Sequence, residues 1–418
     1  MNILVCGADG FVGRHICDQL RTAGHQVSRG VRRPRETSDI AIDFACDHDP
    51  AVWLPRLEGI DVVINAIGIL IETAGQSYEA IHTAAPKALF SACARKAGIR
   101  VIQISALGVE QGKTGYFSSK LAADHHLATL DLDWAILRPG LVYGADGASS
   151  RLFRMLASLP IAGLPGNGDQ PLQPIHIDDL CACVQNLAEA KAPMRRTYEL
   201  TSGDTLSYRG LLQCYRHAMG MGRALFIPIP MGIMRITARL AEALPQRVLS
   251  RDTLSMLAGG NTSTGDDAAR LLKRAPIKAE QFIPAAQQAI LRQEAVNGWA
   301  LPVLHASLAL MWIATAYFSL TQQDVSLDLL GRCGIHGTAA TIALYAAVTL
   351  DLLLGLLTLW RPTRTLWLAQ IILVTVYTVI ITLRLPEFWV HPFGPLLKNL
   401  PIVAMLLYLY ALTPVNRK

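Results

Sequence analysis

Tyr116 and Lys120 stand four residues apart in the run Tyr116-Phe117-Ser118-Ser119-Lys120. On a helix that spacing puts both side chains on one face. A free tyrosine has a pKa near ~10, too high for ready proton exchange at neutral pH. An adjacent ammonium is expected to stabilise the phenolate and lower that value. Such a tyrosine can give a proton to a carbonyl oxygen or take one from an alcohol. Ser105 ends the apolar run Val101 to Ile104 and is placed to hydrogen-bond the same oxygen. A bare Tyr-x-x-x-Lys is common by chance, so the elements around it decide its meaning.

Those elements begin at the start of the chain. Ile3 to Val5 read as a short buried strand, followed by Gly7-Ala8-Asp9-Gly10-Phe11-Val12-Gly13. A helix from Phe11 to about Ala23 follows, with Val12, Ile16 and Leu20 at helical spacing, then a strand from Gln26 to Val31. Glycines let the backbone turn tightly and approach a pyrophosphate, which sits at the helix N-terminus. A glycine triplet between a strand and a helix is therefore a dinucleotide cradle, with Gly7, Asp9, Gly10, Phe11, Val12 and Gly13 around the ligand. The second strand ends in Arg32-Arg33, where an acidic residue would bind the ribose of NAD. Two arginines suit the 2′-phosphate of NADP, so NADP(H) is the preferred cofactor and NAD(H) the alternative. Asp43-Phe44 end the predicted third strand and flank the adenine.

Further strands are predicted at Val62 to Asn65, Val101 to Ile104 and Trp134 to Leu137. Helices at Tyr78 to Ala97 and Tyr116 to Thr129 separate them. This alternation predicts an α/β fold, a doubly wound parallel sheet of Rossmann type, over residues 1–144. Ligands bind at the carboxyl ends of such strands, where Asn65 and Ser105 fall. Residues 145–297 form a less regular substrate-side region, broken at Pro228-Ile229-Pro230 and Gly259-Gly260-Asn261.

Beyond Asn297 the charges thin out. The chain is 51% hydrophobic and 17% charged, and the surplus lies in Leu301 to Leu320, Ala339 to Trp360, Leu366 to Leu383 and Leu396 to Leu412. A span needs roughly 20 apolar residues, so residues 298–418 read as a four-helix transmembrane α bundle. Trp299, Trp360, Trp367, Trp389, Tyr408 and Tyr410 fall mostly near segment ends, as interfacial anchors do. Arg361, Arg364, Arg417 and Lys418 would lie on the side of the first domain, and Arg332, Arg384 and Lys398 opposite. That balance fits a multi-pass inner (cytoplasmic) membrane protein with its nucleotide-binding domain in the cytoplasm. Asp351 sits mid-span at a cost of roughly 2.5–3.5 kcal/mol, with His305 and Gln370 as candidate partners.

The net charge of +6 comes without basic tracts. It suits anionic lipid and gives no nucleic-acid site. The eight cysteines form no C-x-x-C pair, so reduced thiols and no metal are expected. Met1 to Val5 run directly into the first strand, so no signal peptide is expected ahead of it.

Residues 1 to about 295 resemble the short-chain dehydrogenase/reductase superfamily in its extended or atypical branch. Gly7, Gly10, Gly13, Asn65 to Gly68, Ser105, Tyr116, Lys120 and Arg138 to Gly144 carry the likeness. The resemblance implies Tyr116 as acid/base, Lys120 holding the nicotinamide ribose and tuning Tyr116, and Ser105 orienting the substrate. It also implies Ala66, Gly68 and Pro139 beside the cofactor. Pro174 to Leu180 match the same branch, with His176 and Asp178 bracing the structure. The helix that often carries an asparagine in this family reads Ile81-His82-Thr83, which puts His82 in that place. The nearest group includes the nucleotide-binding accessory subunit of respiratory complex I, some of whose members hold NADPH without turnover. The last 120 residues resemble the DoxX-like membrane family, through Asp351 to Gly355 and His391 to Asn399.

These readings converge on a membrane-anchored NADP(H)-dependent oxidoreductase acting on a carbonyl or alcohol. The anchor points to a lipophilic substrate such as a quinone, with the bilayer and a membrane protein as partners. The competing readings are a non-catalytic NADPH-binding scaffold and a sugar-nucleotide epimerase or dehydratase.

Overall fold

The computed structural model describes residues 1–112, 114–242, 250–392 and 394–414. Phe393, Arg417 and Lys418 lie outside them. The chain forms two compact units, Met1–Val296 and Asn297–Lys418.

In the first unit, strands β1 (Asn2–Cys6), β2 (Gln26–Val31), β3 (Asp39–Ala41), β4 (Val62–Asn65), β5 (Arg100–Ile104) and β6 (Asp133–Pro139) join one sheet. A two-stranded parallel ribbon pairs β7 (Ile161–Pro165) with a later strand, and β8 (Arg195–Leu200) completes the large sheet. The order is β8-β6-β5-β4-β1-β2-β3, parallel throughout. Successive residues of β1 alternate between two cores: Ile3 and Val5 pack on one face, Leu4 and Cys6 on the other. Both faces are therefore covered, as a parallel sheet requires. The strand order reverses at β1, whose neighbours are β2 and β4. The crevice outside the carboxyl ends of β1 and β4 is thus the switch point where such sheets take ligands.

Helix α1 (Phe11–Thr22) follows β1. After β4 a π-helical stretch, Glu79–Ala84, runs into α2 (Ala85–Ala94), and α3 (Gly115–Thr129) follows β5. Helix α4 (Ile177–Ala188) packs on α1. His176 caps α4, its Nδ1 accepting the Asp178 N–H at 3.2 Å. The ribbon partner β9 (Leu225–Ile229) leads into α5 (Met231–Ala241), and α6 (Arg251–Ala258) packs beside α5.

Among the described residues three helices are long and apolar enough to cross a membrane: α7 (Gln288–Thr321), which begins before the second unit, and α8 (Gly337–Trp360) and α9 (Arg364–Arg384) within it. The fourth apolar segment, the shortest of the four in the sequence, is not among these three, so four spans are not established. Its helix α10 (Asn399–Leu412) has 14 residues, about 21 Å at 1.5 Å per residue against a ~30 Å hydrocarbon core. Pro401 stands in its first turn and has no N–H to give upstream, so the helix starts late. Trp367 is not an interfacial anchor: it is fully buried and donates to Thr413 Oγ1 at 3.0 Å. The expected partners of Asp351 are engaged elsewhere. Gln370 accepts from Trp312 Nε1 at 2.8 Å and donates to Thr358 Oγ1 at 2.9 Å, and His305 stacks on Trp367. Asp351 is buried, and its Oδ1 has no hydrogen-bond partner among the described residues.

Candidate active site

The chain leaves β1 at Cys6 and turns at Gly7, whose φ of 83° suits glycine. Gly10 N–H donates to Gly7 O at 2.9 Å, and α1 starts with Gly10 as N-cap. No side chain caps that end, and its first turn holds no acidic residue. The positive end of the helix is therefore open to an anion. A Cβ on Gly13 would lie 2.1 Å from Gly7 O, so α1 approaches the loop at a distance that only glycine permits. This cradle fits the pyrophosphate of a dinucleotide. Phe11 stands edge-on to His15, and Val12 packs on the core beneath β1.

Asp9 is not free: Arg29 donates to it at 2.6 Å and to Glu36 at 2.8 Å. Arg32 and Arg33 follow β2, are exposed, and make no ion pair among the described residues. The third strand ends at Ala41, short of the expected Asp43-Phe44. Asp43 is half-buried and accepts the Ala45 N–H at 3.0 Å. Phe44 turns the other way, 3% exposed and edge-on to Trp53 in the core. Its ring therefore cannot flank an adenine. The residue falls in a loop, where strand alternation no longer predicts which way a side chain faces.

Thr114 caps α3, accepting the Phe117 N–H at 3.3 Å, which sets Tyr116 in the first turn. Tyr116 is 8% exposed, with ring centroids of His82 at 5.3 Å, Phe117 at 5.6 Å and Tyr78 at 6.0 Å. One turn on, Lys120 is buried. Its Nζ donates to Ile104 O at 3.0 Å and lies 5.8 Å from the Tyr116 ring centroid. Burial lowers the Lys120 ammonium to about 8, against the opposing pull of Asp124. Burial, reinforced by Tyr78, pushes Tyr116 up, opposite to the expected depression. The Lys120 ammonium is bound to a backbone carbonyl, and a phenol shifted upward by enclosure keeps its proton at neutral pH.

Ser105 also departs from expectation. Its hydroxyl donates to Asp124 Oδ2 at 2.7 Å, so it offers an incoming oxygen no proton in this arrangement. Asp124 lies four residues beyond Lys120 on α3 and is 1% exposed. Nε and Nη2 of Arg138 lie 3.4 Å from its Oδ2, and Arg138 Nη1 donates to Glu110 at 2.6 Å. Burial raises the Asp124 carboxyl, while Ser105, Arg138 and Lys120 oppose that shift. Its Oδ1 has no partner among the described residues. The sequence reading missed Asp124, although the 116/120/124 spacing on one helical face was available. Removing one member of a buried ionic group strands the other, so Asp124→Ala is expected to cost about 3 kcal/mol. Urea unfolding of the detergent-solubilised chain checks it, with Asp124→Asn less damaging.

His82 stands in the π-helical stretch, a geometry that often marks functional sites. Its Nε2 accepts the Ile69 N–H at 3.0 Å, so the proton sits on Nδ1 and goes to Ser119 Oγ at 3.0 Å. Ser119 donates in turn to Tyr116 O at 2.9 Å. Burial, with Lys120 adding to it, lowers His82 to about 2. His82 is therefore a neutral tether between the segment after β4 and α3. It also bounds the cleft: a Cβ on Gly68 would lie 3.5 Å from Lys120 Nζ and 3.6 Å from His82 Nε2. Ala66 N–H donates to Cys6 O at 3.0 Å, and Pro139 O accepts from Leu107 N at 3.0 Å. The glycine loop, the Ala66 to Gly68 segment and Ser105 thus follow the carboxyl ends of β1, β4 and β5, and Pro139 is the last residue of β6, with Lys120 reaching Ile104 at the end of β5. No group of three or more potential metal ligands occurs among the described residues.

Comparison with known proteins agrees with this architecture. Residues 7–155 match the family described as NAD(P)H-binding, and residues 309–407 the DoxX-like family. A ceramide reductase from Caulobacter vibrioides is 26% identical over 238 residues, covering 54% of this chain and 74% of that protein. The mitochondrial NADH dehydrogenase (ubiquinone) 1 alpha subcomplex subunit 9 of Arabidopsis thaliana is 29% identical over 227 residues, 50% of this chain and 56% of that one. Among solved structures, MoeE5 with UDP-glucuronic acid and NAD superposes with a TM-score of 0.54 at 20% identity, over 71% of this chain and all of that one. The NADPH-dependent quinone oxidoreductase QOR2 of Escherichia coli, with NADPH, gives 0.54 at 15% identity, over 68% and 98%. At these identities the structural likeness is one of fold. The chain joins an NAD(P)-binding Rossmann-fold domain to a DoxX-like domain whose region holds helices long and apolar enough to cross a membrane.

Proposed function

We propose that this protein is a membrane-anchored NADPH-dependent reductase of short-chain type, acting on a carbonyl carried by a lipophilic molecule. The observation that carries the reading is the placement of Tyr116, a buried neutral phenol, one helical turn from Lys120 at the carboxyl edge of the sheet. When bound, the cofactor supplies a hydride. The rest belongs to this chain. Gly7, Gly10 and Gly13 hold the pyrophosphate on the α1 N-terminus. Lys120 holds the nicotinamide ribose, and Ala66, Gly68 and Pro139 line that end of the site. Tyr116 gives its proton to the carbonyl oxygen as negative charge develops there. Ser105 donates its hydroxyl hydrogen to Asp124 and so gives none to that oxygen.

Lipophilicity of the substrate is supported by the spanning helices and by the name of the C. vibrioides relative. We assign the first unit to the cytoplasmic side of the inner membrane on the balance of basic residues around the apolar segments, which supports that side. Oxidation of NADPH by purified protein in native lipid extract, lost in Tyr116→Phe, tests the whole reading.

The exposed arginines after β2 support NADPH over NADH. One charge-assisted contact is worth about 1.5–3 kcal/mol, so Arg32→Asp is expected to weaken NADPH binding by about 10- to 100-fold and leave NADH binding nearly unchanged. Titration of both nucleotides by calorimetry checks it; equal losses defeat the phosphate-clamp argument.

A second reading has its own support. The A. thaliana relative is by name a subunit of a mitochondrial NADH dehydrogenase (ubiquinone), and Tyr116 is more enclosed than the sequence implied. In that reading NADPH is held permanently, as part of a scaffold beside a membrane partner. Cofactor that survives purification and neither exchanges nor oxidises supports it.

A further inference from the structure

Helix α5 has two apolar faces. At the helical repeat, Met231, Met234 and Ala238 share the face turned into the protein, while Ile233, Ile236 and Leu240 share the opposite one. Those three are 52%, 62% and 67% exposed, whereas Ala238 is fully buried. A surface helix of a soluble domain pairs one apolar stripe with a polar back; α5 does not. The strand entering it continues the pattern. Leu225 and Ile227 on β9 are exposed, and Leu225 is in register with exposed Ile161 on β7.

Charge accompanies the apolar stripe. Arg235 and Arg239 are exposed along one flank of α5. From Gly220 to Ala241 the sequence contains Arg223, Arg235 and Arg239 and no Asp or Glu. Large aliphatics on one face with arginines beside them are what a helix lying in an anionic lipid interface requires. The chain supplies the membrane itself, through its spanning helices. The stripe is also close to the chemistry. Helix α6 packs against α5, and Met256 of α6 packs on the cluster of Tyr78, Tyr116 and Phe117.

We infer that α5 is a bilayer-interface helix. Ile233, Ile236 and Leu240 sink among the acyl chains, and Arg235 and Arg239 lie at anionic phospholipid headgroups. One helix then separates the lipid from Tyr116, so a membrane-dissolved substrate enters beside α6 without crossing water. The entry route rests on the reductase reading; the lipid contact does not.

The test uses the full chain, with the exposed Cys46 and the partly exposed Cys214 and Cys333 replaced by serine and Ile236→Cys carrying an environment-sensitive fluorophore. It is reconstituted in nanodiscs of phosphatidylcholine with phosphatidylglycerol. The expected result is a blue-shifted emission, quenched by lipids bearing a nitroxide near the headgroup and less by those bearing it at the chain end. Arg235→Glu with Arg239→Glu should reduce the quenching. The same label on Glu58→Cys, an exposed position just before β4 at the amino edge of the sheet, should stay unquenched. A water-like, unquenched label at position 236 overturns the inference, even if a protein in native membranes protects that position. Because the fluorescence needs no turnover, loss of the reductase reading leaves this result standing. Conversely, an unquenched label leaves Tyr116-dependent turnover untouched.

Discussion

Tyr116→Phe is expected to lower NADPH-driven reduction by about 10²- to 10⁴-fold, the usual worth of a positioned proton donor. NADPH affinity should stay close to that of the unaltered protein. The ring packs among Tyr78, His82 and Phe117, and phenylalanine preserves those contacts while removing only the hydroxyl. Stability should therefore change little, because the hydroxyl is the sole group lost. The effect should fall on turnover and not on the KM for NADPH, since the proton moves only as the carbonyl is reduced. Stopped-flow oxidation of NADPH beside equilibrium binding separates the two. A variant that keeps full turnover removes Tyr116 from the mechanism.

Gly13→Val is expected to weaken cofactor binding about 100-fold, through the backbone. Its Cβ would meet Gly7 O at 2.1 Å, Gly7 C at 2.7 Å and Ala8 Cα at 3.1 Å. All three atoms belong to main chain, so no side chain can swing aside to relieve the clash. Either α1 backs away from the loop or the loop deforms, and each opens the pyrophosphate cradle. A loss of about 2.7 kcal/mol in binding is a 100-fold weaker Kd, and overpacking of this kind costs about 1–3 kcal/mol of stability. Gly222→Ala is the matched control, because a Cβ there meets nothing within 4 Å and should leave both quantities unchanged. If Gly13→Val binds NADPH normally, the glycine loop is not the pyrophosphate site.

The parts of this protein that were legible in its sequence are those governed by local rules. β1, the glycine loop, α1 and β2 follow from apolar alternation, glycine spacing and a helical stripe, and the strand at Gln26–Val31 lies where that pattern puts it. Tyr116 and Lys120 were found because four-residue spacing on a helix is itself a geometric statement. What escaped depends on tertiary burial. Asp124 is held by Ser105 from β5 and Arg138 from β6, partners that no local pattern joins. The direction of the Tyr116 shift was misread because spacing reveals the nearby ammonium but not the enclosure of the ring. Phe44 was misplaced because β3 stops early and the residue falls in a loop. α10 proved short because hydropathy counts apolar residues across Pro401, where helical hydrogen bonding cannot continue upstream. The apolar outer face of α5 is not legible for a similar reason, since sequence periodicity cannot say which of two apolar faces is buried.

The central claim is hydride transfer to a lipophilic carbonyl, and isotope transfer tests it most directly. Purified protein in native lipid extract is supplied with NADPH carrying deuterium at the transferable nicotinamide position, beside Tyr116→Phe. The account predicts deuterium on the carbon that bears a newly formed lipid hydroxyl, with oxidised cofactor in equal amount, and neither with the phenylalanine variant. NADPH that stays bound, unoxidised and fully labelled throughout the extract contradicts the account and favours the scaffold reading.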